Sequence, residues 1–98
     1  MAANVITLNA SEAAGAVRKI KSQATQAQTT VNQLQRDIRA VGTWWKGDSA
    51  VTFVSEFDKS KLEFDKMIEL INKYGDLLTQ AIKIQQDADA EIARQMRT

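Results

Sequence analysis

The sequence predicts an all-α fold, a two-helix antiparallel hairpin that dimerises into a four-helix bundle. Three observations carry that prediction. Proline is absent and glycine occurs only four times in 98 residues, so little interrupts a long helix. Apolar residues recur at alternating three- and four-residue steps through both halves of the chain, the signature of helices with one buried stripe. The chain is also too short to bury much surface unaided, and with no cysteine and no histidine it has neither a disulfide framework nor a thiolate or mixed metal site to staple it. A partner chain is the remedy left.

The first helix is predicted over about residues 9–45. Asn9 is a good cap, Glu12 three residues on completes a capping box, and Leu8 precedes it as a staple residue. From there Ala10, Ala13, Val17, Ile20, Ala24, Ala27, Val31, Leu34, Ile38, Val41 and Trp45 form an unbroken heptad stripe. The stripe is narrow, flanked by residues such as Lys21, Gln23, Gln28 and Gln35, and small toward its amino end. Such a helix packs closely on one neighbour.

A turn follows at about 46–48, where Gly47 ends the pattern and Asp48 and Ser49 supply caps. The second helix, about 49–93, has its own seam. It runs through Ala50, Phe53, Phe57, Ser60, Phe64, Met67, Ile71, Tyr74, Leu78, Ala81, Gln85, Ala88 and Ile92. In its middle the apolar face widens, with Ile68 and Ile82 on one flank and Leu70, Leu77 and Ile84 on the other. One neighbouring helix cannot cover so broad a surface. Each of these aliphatic side chains left in water forgoes about 1.5 to 3 kcal/mol, and four of them amount to the whole stability of a small domain. A second molecule is therefore expected, with Phe53, Phe57, Phe64, Met67, Ile68, Leu70, Ile71, Leu77 and Leu78 supplying core and dimer contacts. Residues 1–98 read as one helical-hairpin domain with frayed ends.

Charge supports a side-by-side arrangement. The net charge is +1, yet residues 1–47 carry six basic and two acidic side chains and residues 48–98 seven basic and ten acidic. The halves, at +4 and −3, attract when laid together, although exposed pairs add only about 0.2 to 1 kcal/mol each. Met1 to Leu8 has no basic segment and no apolar run of signal-peptide length, and no window approaches a membrane span. Synthesis as a soluble cytoplasmic protein is expected, with no stable membrane insertion. Arg18, Lys19 and Lys21 make only a short basic patch, which disfavours nucleic acid. Without histidine, cysteine, a phosphate loop or metal-ligand spacing, the carboxylates of the second helix have nothing to position them, so no catalytic site, metal or cofactor is expected. Lys59, Lys61 and Lys66 among Glu56, Asp58, Glu63 and Asp65 read as a solvated face.

The turn itself reads Trp44-Trp45-Lys46-Gly47-Asp48. A Trp-Xaa-Gly turn near the middle of about one hundred residues, between two heptad helices, resembles the WXG family of ESAT-like type VII secretion proteins over essentially the whole chain, with Trp45 and Gly47 as the motif residues. The resemblance implies export from a Gram-positive bacterium or mycobacterium through a type VII membrane ATPase. It implies a folded homodimer or a heterodimer with a sister protein, secreted to the extracellular side without a cleavable signal peptide. Host interaction, virulence and bacterial competition are all open to such a protein. The family's Tyr-x-x-x-Asp/Glu signal after the second helix is not matched, because Asp89 is preceded four residues earlier by Gln85.

On the residues alone, Trp45 closes the hairpin core, Gly47 takes a positive φ, and Trp44, one step off the seam, is the docking aromatic. The resemblance makes Trp45, Gly47 and Asp89, with Trp44 beside the motif, the expected recognition residues, and Asp87 to Glu91 the second recognition segment. A homodimer is favoured over a heterodimer because the charged halves and the broad second face suit self-association. The alternative function is an intracellular adaptor, a chaperone-like helical partner of a larger secreted toxin, and Gln85 is the residue that sustains it.

Overall fold

The computed structural model describes residues 8–97. The stretch Met1–Thr7, most of the segment read above for a signal, lies outside the described residues. Two helices run antiparallel, α1 (Ala10–Ala40) and α2 (Asp48–Met96), joined through a single 3-10 turn at Val41–Thr43. The molecule is a rod of 78 × 21 × 19 Å.

Its length follows from α2. At 1.5 Å per residue, the 49 residues of α2 span about 74 Å and the 31 of α1 about 46 Å, so α2 outruns its neighbour. α1 starts where the cap is. The Asn9 carboxamide oxygen accepts the Glu12 backbone N–H at 3.0 Å, and Leu8 is half-buried beside it. α2 starts on Gly47, at φ 111°, with no side-chain cap. Asp48, expected to cap α2, instead sits in its first turn, where a carboxylate suits the positive end of the helix dipole.

The α1 stripe packs as its spacing predicts. Ala13 and Ala24 are buried, and Val17, Ile20, Ala27, Val31 and Ile38 are half-buried. Leu34 departs from it and is exposed, while Gln35 turns inward. The α2 seam differs more. Every seventh residue, from Ala50 through Phe57, Phe64, Ile71 and Leu78 to Gln85, faces α1 as expected. The alternate positions lie one residue later than the sequence suggests, at Val54, Lys61, Ile68, Gly75 and Ile82. Phe53, Ser60, Met67, Tyr74 and Ala81 are exposed.

Close approach explains the choice. A Cβ on Gly75 would stand 3.2 Å from the Lys21 stem and 3.5 Å from Ile20, and Ala24 on α1 has no accessible surface at all. Where the helices touch this tightly, a glycine fits and the adjacent tyrosine does not. α2 is apolar on both sides of the shared positions, so its own pattern leaves the side open.

The expectation that Lys61 belongs to a solvated face is corrected as well. Its side chain is 20% exposed and its ammonium bonds Asp65 at 2.7 Å. Gln28 of α1 donates to the same carboxyl group at 3.2 Å, making a polar layer across the hairpin. The Lys61 hydrogen bond first, and that from Gln28 next, hold the Asp65 carboxyl below its ordinary value against the opposing effect of burial. Further along, Lys21 pairs with Asp76 at 2.5 Å and Arg39 approaches Asp58 at 3.6 Å. These contacts carry the attraction between the basic and acidic halves.

Candidate functional site

The turn is built by backbone geometry. α1 gives way to the 3-10 turn, and the N–H groups of both Trp44 and Trp45 return to the Val41 carbonyl, at 3.2 and 2.9 Å. The Thr43 hydroxyl donates to the Ala40 carbonyl and the Lys46 ammonium to that of Gly42, so side chains of the turn take up carbonyls left open where the helix gives way. Gly47 then reverses the chain at its positive φ, a conformation that L side chains rarely adopt.

The two tryptophans part company here. Trp45 turns back on α2 and meets the Phe53 ring at 5.6 Å between centroids, tilted by 46°. Trp44 stands 73% exposed. Between the turn and the first turns of α2 lies an open cleft of about 520 Å³, lined by Gly42, Trp45, Lys46, Gly47, Ala50, Val51, Val54, Ser55 and Asp58. Its walls are mainly aliphatic and aromatic carbon, and Asp58 closes the far end, where Gln35 and Arg39 reach it. The sequence reading singles out Trp45 and Gly47, passes over Val51 and Val54, and sets Asp58 on a solvated face, whereas Asp58 is half-buried and met by Gln35 and Arg39. Their i, i+3, i+7 spacing was the available signal.

Asp89 is not part of this site. It lies 42 residues beyond Gly47 on one continuous helix, about 63 Å away. There the Gln85 side-chain amide donates to the Asp89 carboxylate at 3.0 Å. Lys83 and Asp87 pair at 3.0 Å, and Arg94 grips Glu91 through both Nε and Nη2. Within one chain, then, Trp44, Trp45 and Gly47 come together at one end of the rod and the acidic segment stands at the other. Among the described residues no group of three carboxylates could hold a metal ion, and no helix is long and apolar enough to cross a membrane.

A hairpin of two long helices about a Trp-Lys-Gly turn invites comparison with known proteins. Residues 5–90 match the family described as WXG100, proteins of 100 residues with WXG. The chain belongs to the WXG100 family. Members of that family are ESAT-like substrates of type VII secretion, non-enzymatic helical proteins that typically form dimers. The chain is 28% identical to Protein YukE of Bacillus subtilis over 80 residues, covering 79% of this chain and 82% of that one. The crystal structure of EsxA from Geobacillus thermodenitrificans is similar at a TM-score of 0.79 and 25% identity, covering 93% of this chain and all of the other. The WXG100 hairpin is the fold in both senses, sequence pattern and shape.

Proposed function

We propose that this WXG100 chain is itself a type VII secretion substrate that leaves the cell without a cleavable signal peptide and acts as a homodimer through protein recognition. The observation that carries the reading is the turn: an open, mainly apolar cleft lined by Trp45, with the exposed Trp44 next to it in the chain. An exposed tryptophan next to a mainly apolar concave surface is a usual form of anchor for another protein. The partner implied is the type VII membrane ATPase.

The turn, with Trp44, Trp45 and Gly47, is one half of the recognition surface, and the segment carrying Asp89 is the other. Gln85 supports Asp89 in the place where the family pattern has tyrosine. A hydrogen bond at one helical turn holds the carboxylate as an i, i+4 pair does, so the pair presents an ordered acid without an aromatic ring. Dimerisation is favoured by the apolar surface of α2, whose Met67, Leu70 and Leu77 lie exposed in the single chain. Lasting exposure of that much carbon costs a small domain more than it can spare.

The test follows the tagged protein in cells and medium of its source bacterium, with and without the secretion ATPase. ATPase-dependent appearance in the medium, free of lysis markers, is the expected result. Retention in the cytoplasm while other family members are exported would overturn it and favour an adaptor that stays with a larger partner.

A further inference from the structure

One flank of the hairpin carries a ladder of polar contacts between its helices. Lys21 meets Asp76 at 2.5 Å, Gln28 meets Asp65 at 3.2 Å and Arg39 approaches Asp58 at 3.6 Å. Each time α1 gives the donor and α2 the carboxylate. Asp58 and Asp65 stand one heptad apart, and one heptad beyond Asp76, where a further acid would continue the ladder, the residue is Lys83. Near it on α1 is Arg18. Among the described residues Arg18 has no carboxylate to pair with, and Lys83 is held only by Asp87 of its own helix, at 3.0 Å. The ladder therefore ends on two cations.

Both line one open groove of about 400 Å³ between the helices. Ala14, Val17 and Ile82, each half-buried, give it a carbon floor. The groove is distant from the turn and turned away from the exposed Leu70 and Leu77. Gln86, on its wall, follows Leu77 by nine residues, two and a half helical turns, and so stands on the opposite side of α2. A second chain on the apolar side of α2 leaves this groove open.

We propose that the groove receives an acidic amphipathic helix of another protein. An aliphatic side chain of that helix rests on Val17 and Ile82, and a carboxylate one turn away bridges Arg18 and Lys83. Charge selects the acid, because two cations beside one groove repel each other and are both relieved by a single anion. The floor selects the aliphatic group: a bare anion such as phosphate would leave that carbon in water. Shape selects a helix. The furrow between two packed helices accepts the side-chain ridge of a third, and from Thr79 to Gln86 α2 rises about 10 Å, the span of side chains one and two turns apart on a single helix.

The probe is a short helical peptide with leucine and glutamate alternating one turn apart along one face, beside twins that carry glutamine or lysine in place of glutamate. Titrated into the isotopically labelled full chain, the glutamate peptide should shift the backbone amide signals of Val17, Arg18, Ile82 and Lys83, and the twins should not. Arg18→Glu is expected to weaken binding about tenfold. The double variant Arg18→Glu with Lys83→Glu should exchange the preference and bind the lysine peptide instead. Circular dichroism of both variants checks that the hairpin is intact. Equal shifts from the glutamine twin, the same shifts from inorganic phosphate alone, or no response at these amides would overturn the proposal. So would the same shifts on concentrating the chain by itself, which would give the groove to a second copy.

Discussion

At Gly47 the chain takes φ 111° and ψ 177°, a region nearly closed to residues with a Cβ. No atom lies within 4 Å of where that Cβ would sit, so the obstacle is the backbone alone. Gly47→Ala is expected to cost about 1 to 3 kcal/mol, read as a lower urea midpoint with helical content retained. Gly75 poses the opposite case, with helical backbone and no room. Gly75→Ala gains about 0.5 to 1 kcal/mol of helix propensity and presses a methyl against the Lys21 stem at 3.2 Å, so it should leave stability within about 1 kcal/mol of the parent. Gly75→Leu cannot be absorbed and is expected to lose about 1 to 3 kcal/mol by overpacking. Denaturant titration of the pair separates crowding from propensity. Trp44 needs no such trade. It is 73% exposed, so Trp44→Ala should unfold at the parent's midpoint while export falls, which a secretion assay beside a melting curve would read.

At the scale of the element, the polar layer at Gln28, Lys61 and Asp65 shapes both helices. Asp65 is held below its ordinary pKa of 3.8 chiefly by the Lys61 hydrogen bond. A carboxyl group lowered on folding contributes stability that is present above its unfolded pKa and is lost as pH falls through the folded one. Acidification from pH 5 through the region below 4 should therefore lower the urea midpoint of the parent more than that of Asp65→Asn, which has no proton to take up. Equal slopes would show that Asp65 plays no part in the acid response. The layer also explains why the inward position at 61 tolerates a lysine: its charge is met at 2.7 Å, and its aliphatic stem covers the seam.

For the whole molecule, the helix lengths set what each end can do. α1 covers only part of α2, leaving the acidic stretch of α2 beyond the start of its partner helix and the cleft beside the turn some 60 Å away. One chain cannot present both surfaces together. Variants that weaken the proposed dimer are expected to lose export in step with dimer population at cellular concentration.

Helix and turn were legible in the residues: no proline, a continuous three-four spacing, Asn9 as cap and Gly47 as the reversal. Each of these is a local property, a matter of propensity and period. The face that α2 turns to α1 was not legible, because the competing positions Phe53 and Val54, and again Met67 and Ile68, are apolar on both sides, Ser60 and Lys61 are polar on both, and a period of seven fits either side. Tertiary contact decided it, where Gly75 and Ala24 allow the helices to close and Tyr74 does not. The inward Lys61 and the cleft wall at Val51, Val54 and Asp58 became visible only then, since both depend on which side of α2 the first helix occupies.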